Sequence, residues 1–320
     1  MSSLSSNPSG VDWFKRRTTR AQHYDVRALA ECKSATNTSV SVVLPTRNEA
    51  ATVGRVVETA CSLAETLVDE VVVVDSASTD GTAEQAAAAG ARVHQADQLL
   101  PHYGPCLGKG DALWRGLSVT GGDIVVYMDT DIVNPDAAFI SGLLGPLLMD
   151  ATVSLVKAFY DRPVKLDRVQ YAMGGGRVTE LTARPLINMF WPELAGLVQP
   201  LAGEYAGRRS LLESIPFFTG YGVELGLLVD TLHHLGADAI AQVDICRRVH
   251  RNQDLPALSR MAFGILHVAM QRLAEEGRTS LPDAFFDGST YLQFERRSTE
   301  MTASEGQIRI VERPPLASLS

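Results

Sequence analysis

Between residues 39 and 129, β-branched apolar runs alternate with segments of helical periodicity, and few folds accept that alternation. Residues 40–44 form the first run, closed by Pro45, and residues 49–67 then place Val53, Val56, Val57, Ala60, Leu63, Ala64 and Leu67 at helical spacing. Residues 70–75 read as a second strand, 83–89 as a helix ending at Gly90, 92–95 as a short strand, 109–117 as a helix and 123–129 as a strand. The pattern predicts an α/β fold with a mostly parallel, Rossmann-like sheet wound in βαβ units, whose ligands meet the carboxyl ends of the strands. Further strands are expected at 153–160 and 239–243, with helices at 178–189, 223–235 and 258–273 in a glycine-punctuated second half. The chain divides into a polar arm (1–38), a first α/β part (39–160), a second lobe (161–276) and a polar, proline-containing tail (277–320) that is loosely ordered or wraps a partner subunit.

The charge balance narrows the function. With 29 Lys and Arg against 37 Asp and Glu, the formal net charge is −8, which argues against broad binding to nucleic acid or to an anionic membrane. An anionic ligand must be held by local cations. The basic cluster Lys15-Arg16-Arg17 beside Trp13 and Phe14 reads as solvated surface. Four scattered cysteines, Cys32, Cys61, Cys106 and Cys246, fit reduced thiols better than a disulfide framework. No apolar run reaches the roughly 18 residues of a membrane-spanning helix, and the expected location is cytoplasmic.

The strongest chemical signal is Ile124-Val125-Val126-Tyr127-Met128-Asp129-Thr130-Asp131, an apolar strand delivering two carboxylates at its mouth. The spacing alone means little among twenty aspartates; the placement carries the information. Hard cations such as Mg²⁺ or Mn²⁺ take carboxylate oxygens and complete their shell from phosphates and water. Asp131 capping a turn while Asp129 merely ends a strand is the plain alternative. Three further polar clusters fall on neighbouring strand ends or loops. Pro45-Thr46-Arg47-Asn48-Glu49 offers groups to a base and ribose, and Asp75-Ser76-Ala77-Ser78-Thr79-Asp80 adds a hydrogen-bonding loop. Gly108-Lys109-Gly110 sets a cation at a helix start, where a diphosphate is favoured.

Together these three motifs, Pro45-Thr46-Arg47-Asn48-Glu49, Asp75-Ser76-Ala77-Ser78-Thr79-Asp80 and Asp129-Thr130-Asp131, resemble the donor half of GT-A glycosyltransferases. Gly174-Gly175-Gly176-Arg177-Val178-Thr179-Glu180-Leu181, Gln199-Pro200-Leu201-Ala202-Gly203-Glu204-Tyr205, Gly220-Tyr221-Gly222-Val223-Glu224 and Val249-His250-Arg251-Asn252 are similar to the glucosyl-3-phosphoglycerate synthases of glycosyltransferase family 81 and their mannosyl relatives. The resemblance implies that Asp131, Asp129 and His250 surround the metal, and that Pro45, Thr46, Arg47, Glu49, Asp75, Ser76, Lys109 and Thr130 serve the nucleotide. It implies that Gly175, Gly176, Arg177, Thr179 and Asn252 hold phosphoglycerate, and that Leu201, Tyr221, Glu224 and Arg248 line the sugar and acceptor region. The implied enzyme is a retaining, metal-dependent hexosyltransferase and a homodimer, moving glucose from UDP-glucose to 3-phosphoglycerate. GDP-mannose remains open as donor. Glu224 is a candidate for proton transfer, because no carboxylate is an obvious covalent nucleophile.

Other readings fare worse. A dinucleotide-binding dehydrogenase needs Gly-x-Gly-x-x-Gly after its first strand, where this chain has Pro45-Thr46-Arg47-Asn48-Glu49, and a sugar nucleotidyltransferase needs a comparable glycine-rich loop. A non-catalytic nucleotide-sugar-binding protein would have no reason to keep Asp129, Asp131, Lys109, Arg177 and His250 together.

Overall fold

The computed structural model describes residues 10–161, 164–166, 169–171, 176–249, 254–286, 289–297 and 300–319. Its strands are β1 (Thr18–Arg20), β2 (Val40–Thr46), β3 (Glu70–Asp75), β4 (Arg92–Gln95), β5 (Ile124–Tyr127), β6 (Leu155–Asp161), β7 (Val164–Leu166) and β8 (Val169–Tyr171). They continue with β9 (Tyr205–Arg208), β10 (Phe217–Phe218), β11 (Ile240–Arg247), β12 (Ser289–Arg297), β13 (Glu300–Ile308) and β14 (Glu312–Arg313). The helices are α1 (Gly10–Arg17), α2 (Val26–Ala35), α3 (Val53–Cys61), α4 (Thr82–Ala88), α5 (Lys109–Leu117), α6 (Ala137–Met149), α7 (Arg184–Phe190), α8 (Arg209–Ser214), α9 (Val223–Leu235) and α10 (Leu255–Glu275).

The central sheet has the order β1-β11-β6-β9-β5-β2-β3-β4. Every pairing in it is parallel except those of β9, which runs antiparallel between β5 and β6. The strands are apolar on both faces because helices cover both. Val42 and Leu44 turn toward Val56, Phe139 and Ile140, while Val43 turns toward Trp114, Tyr127 and Leu228. All of these but Phe139, at 3 %, are fully buried, and each such side chain contributes about 1.5–3 kcal/mol.

Two expected helices are broken for visible reasons. The pattern over 49–67 yields only α3, after which the amides of Thr66, Leu67 and Val68 converge on the Leu63 carbonyl, so Leu63 and Leu67 are buried from turns. The segment 178–189 becomes a π turn (Thr179–Ala183) leading into α7. Pro185, near the start of α7, has no N–H to return to the carbonyl four residues back, which favours the widened turn. The apolar helix α6 carries no amphipathic stripe to announce it, since Phe139, Ile140, Leu143, Leu144 and Leu147 point several ways and all are buried.

The segment expected as an arm before the fold is instead built into it. Trp13 is 1 % exposed and donates Nε1–H to the Ala237 carbonyl at 2.9 Å. Arg16 pairs with Asp238 at 3.1 Å, Arg17 with Asp150 at 2.9 Å, and β1 extends the sheet beside β11. A three-residue strand of Thr-Thr-Arg has no apolar pattern, so only the tryptophan could have signalled burial.

The expected loose tail is also part of the body. After the β12–β13 hairpin the chain returns, β14 pairs with β10, and Trp114 Nε1–H donates to the Pro314 carbonyl at 2.9 Å. Arg313 grips the fully buried Asp111 of α5 twice, at 2.9 and 2.7 Å. Arg115, also fully buried, pairs with the same carboxylate at 3.2 Å, so removing Arg313 takes away one of two buried cations. Arg313→Ala should therefore lower the unfolding free energy in urea by about 1.5–3 kcal/mol, the cost of a lost charged hydrogen-bond partner, whereas a surface pair such as Arg16 with Asp238 should cost under about 1 kcal/mol. Equal losses would contradict the clasp. Among the described residues no helix is long and apolar enough to cross a membrane.

Candidate active site

Parallel strands deliver their carboxyl ends to one edge of the sheet, and a cleft of about 670 Å³ opens there. Its walls include Pro45, Thr46, Arg47 and Glu49 after β2, Ser76 and Ala77 after β3, and Asp129, Thr130 and Asp131 after β5. Gly108 and Lys109 enter from the start of α5, Tyr221 and Glu224 from the start of α9, Arg248 from the end of β11, and Gly176, Arg177 and Thr179 from the far lip.

The first two loops are stitched together. Asn48 N–H donates to Ser78 Oγ at 2.8 Å, Asn48 Oδ1 accepts from Thr79 N at 2.9 Å, and Glu49 N–H donates to Thr82 Oγ1 at 2.8 Å. Asn48 and Ala77 both adopt φ of +56°, which non-glycine residues accept only where the surroundings enforce it. Thr130 Oγ1–H reaches the Pro45 carbonyl at 3.2 Å and ties the end of β5 to that of β2. Asp75 is the exception among the expected nucleotide residues. It is 1 % exposed and absent from the cleft wall, because its carboxylate accepts from Ser78 Oγ at 2.5 Å and Gln95 Nε2 at 2.9 Å; it braces the loop rather than facing a ligand.

At the centre is a network of alternating charge. Lys109 Nζ lies 2.6 Å from Asp129 Oδ1 and 3.0 Å from Glu224 Oε1. Arg248 Nη2 bridges Asp129 at 3.1 Å and Asp131 at 2.7 Å, while its Nε is 3.0 Å from Glu204. Tyr160 O–H donates to Glu204 at 2.7 Å and its oxygen accepts from Arg248 Nη1 at 3.1 Å. Gly203 permits this density, since a Cβ there would overlap the Asp129 carboxylate and stand 2.6 Å from Lys109 Nζ. Burial alone would lower the Lys109 pKa, but Asp129 and Glu224 overcome it and hold the ammonium charged.

The guanidinium between Asp129 and Asp131 marks the spot where the fold places positive charge between two carboxylates. Such a pair suits a hard divalent cation. Among the described residues, no group of three His, Cys, Asp or Glu forms a ligand cluster. The expected third ligand, His250, lies outside the described residues, as do Gly175 and Asn252. The chain reaches residue 250 from Val249, whose N–H donates to Asn134 Oδ1 at 2.7 Å and whose carbonyl accepts from Val133 N at 2.9 Å. That clamp sets the end of β11 beside the Asp131 loop. Sequence reasoning missed the supporting groups Tyr160, Glu204 and Lys157; the available signal was a lysine inside the buried strand Leu155-Val156-Lys157-Ala158.

Comparison with known proteins gives the family and the fold. Residues 41–215 match the model of Glycosyl transferase family 2. Glucosyl-3-phosphoglycerate synthase of Mycolicibacterium smegmatis is 44 % identical over 97 % of this chain and 99 % of its own length. Mannosyl-3-phosphoglycerate synthase of Rubrobacter xylanophilus superposes with a TM-score of 0.89 at 42 % identity, covering 98 % of each chain. Glucosyl-3-phosphoglycerate synthase of Mycobacterium tuberculosis was solved in complex with Mn²⁺, uridine-diphosphate-glucose and phosphoglyceric acid; it superposes with a TM-score of 0.81 at 42 % identity, covering 95 % of this chain and 99 % of that one.

Asp131 carries a measurable consequence. Its carboxyl is pushed up to about 6, first by burial and then by Asp129, Glu204 and Glu49, with Arg248 opposing. An unfolded aspartate titrates near 3.8, so between these values the folded chain holds a proton that the unfolded chain has lost. This group therefore lowers stability as pH rises from about 4 to about 6, and the deficit persists above. Asp131→Asn should raise the melting temperature of the ligand-free protein at neutral pH, with the advantage shrinking as pH falls below 6. A pH-independent difference would contradict the assignment.

Proposed function

Because the chain carries a glycosyl transferase family 2 domain and belongs to the family of the glucosyl-3-phosphoglycerate synthases, we propose that it transfers glucose from UDP-glucose to the 2-hydroxyl of 3-phosphoglycerate. The products are glucosyl-3-phosphoglycerate and UDP, with retention of anomeric configuration. The observation that supports this reading best is the Asp129–Arg248–Asp131 bridge beside Lys109, which concentrates charge where a diphosphate and a metal would meet.

Asp129 and Asp131, with His250 from the adjoining segment, would hold Mg²⁺ or Mn²⁺. When bound, the ion supplies charge neutralisation on the departing diphosphate. Lys109, at the first turn of α5, adds an ammonium and a helix N-terminus to the same oxygens. Pro45, Arg47, Glu49 and Ser76 hold the nucleotide, while Leu201, Tyr221 and Arg248 shape the space for the hexose. The bond from anomeric carbon to phosphate oxygen breaks, the acceptor oxygen forms the new bond on the same face, and the acceptor proton passes to the leaving phosphate. Glu224, 4 % exposed and bonded to Lys109, orients that lysine and stands as the alternative proton acceptor.

The acceptor brings two anionic groups to a chain of net charge −8. Arg177 answers them from the lip, and Gly176 beside it has φ of +83°, a conformation that turns the backbone there in a way few other residues accept. Likeness to the Rubrobacter xylanophilus protein favours GDP-mannose as the second donor to test. The β12–β13 hairpin exposes Leu292, Phe294 and Met301 by 55, 66 and 56 %, a surface suited to a second copy in a homodimer; light scattering that returns the mass of one chain would remove that element of the reading.

Transfer measured with both donors tests the whole. UDP-glucose should be used, EDTA should abolish transfer and Mn²⁺ should restore it. Arg177→Ala should raise KM for 3-phosphoglycerate about 10- to 100-fold, the cost of roughly 1.5–3 kcal/mol for a lost charged partner, while UDP affinity stays within about threefold. Activity with GDP-mannose alone would redirect the donor assignment, and an unchanged KM would remove Arg177 from the acceptor site.

A further inference from the structure

Lys157 is a charged side chain within the buried run of β6 and is 2 % exposed. It is absent from the cleft wall, and among the described residues no carboxylate comes within ion-pair distance of its Nζ. Its ammonium donates to the Ala202 carbonyl at 2.5 Å and lies 4.4 Å from the centre of the Tyr205 ring. Burial, aided by the nearby Lys109 charge, pushes its pKa down to about 7 against the opposing pull of Glu224, Glu204 and Asp129. A buried cation with a single strong acceptor is a costly way to fill space, and methionine would pack there without that cost.

What the lysine holds explains its presence. The carbonyl it grips precedes Gly203, whose Cα lies against the Asp129 carboxylate and Lys109 Nζ too closely for any side chain. The next residue is Glu204, fully buried, which receives Arg248 at 3.0 Å and Tyr160 at 2.7 Å. Arg248 in turn bridges Asp129 and Asp131. Beside the backbone bonds from Ala202 N–H to the Gln199 carbonyl and from Ala158 N–H to the Glu204 carbonyl, the Lys157 ammonium is the side chain that anchors the turn at 202–204, from which the groups around both carboxylates are placed.

We propose that Lys157 is a positioning residue for the transfer: it fixes the turn at 202–204, and thereby sets the spacing of Lys109, Asp129 and Arg248 that receives metal and diphosphate. The inference rests on the reading of the cleft as a metal and nucleotide-diphosphate site. Lys157 touches no substrate on this account, and its influence travels through the Ala202 carbonyl and the two residues that follow.

The test compares Lys157→Met, Lys157→Gln and Arg208→Met. Arg208 is a control at the opposite end of β9, where it caps the carbonyls of Leu147 and Val153 at 2.7 and 2.8 Å. For each protein the melting temperature is recorded, UDP affinity is measured by calorimetry with and without Mn²⁺, and kcat is measured with both substrates saturating. Lys157→Met should cut the Mn²⁺-linked gain in UDP affinity about tenfold and kcat about 10- to 100-fold; Lys157→Gln, which keeps a donor, should recover part of both. Arg208→Met should lose stability with the metal-linked gain intact. If Lys157→Met does not fold, the same comparison is made with Lys157→Gln and with Gly203→Ala, which displaces the turn from the other side and should reproduce the loss. Lys157 variants that lose only melting temperature, as the control does, would overturn the proposal. A wild-type chain without Mn²⁺-linked UDP binding would overturn the reading of the site and this inference with it, whereas wild-type binding without transfer to 3-phosphoglycerate would overturn the acceptor alone.

Discussion

Four carboxylates, Asp129, Asp131, Glu204 and Glu224, converge at one edge of a sheet, and like charges so close repel unless cations stand between them. Lys109 separates Asp129 from Glu224, and Arg248 separates Asp129, Asp131 and Glu204. The elevated Asp131 pKa and the depressed Lys157 pKa show that burial still strains the balance. A site in which carboxylates crowd under this strain gains from an added cation, and the account of function follows from that.

Topology makes the convergence possible. Parallel strands bring only their carboxyl ends to the ligand edge, which accounts for Arg47, Ser76 and Asp131. The single antiparallel strand, β9, presents its amino end there instead, and so introduces Gly203 and Glu204 between the ends of β5 and β6. Charges arriving from opposite chain directions can interleave at hydrogen-bonding distance. Two of the helices that begin at this edge, α5 and α9, contribute Lys109 and Glu224 from their first turns, where the helix field favours a bound anion.

The portion of this site legible in the sequence is the portion encoded locally. A β-branched run followed by a polar loop identifies a strand end without further information, and that suffices for Pro45, Arg47, Glu49, Ser76 and Asp131. Asp75 sits on the same kind of strand end yet turns inward, because Ser78 and Gln95 satisfy it first; residue type could not distinguish brace from ligand contact. Arg248 is 117 residues from Asp131 and Arg313 is 202 from Asp111, and no periodicity reports such pairings. The edge strand β1 was silent for a different reason, since three residues at a sheet margin need no apolar alternation. In each of these cases packing partners, rather than local propensity, decide the structure.

The central claim is that the Asp129 and Asp131 carboxylates, bridged by the Arg248 guanidinium, form a metal site completed by the diphosphate. Electron paramagnetic resonance of Mn²⁺ titrated into the wild-type chain tests it most directly. The account predicts one tightly held ion per chain when UDP is present and much weaker binding without it, with the tight signal lost in Asp131→Ala. Mn²⁺ bound equally well with and without UDP, or retained by Asp131→Ala, would contradict it.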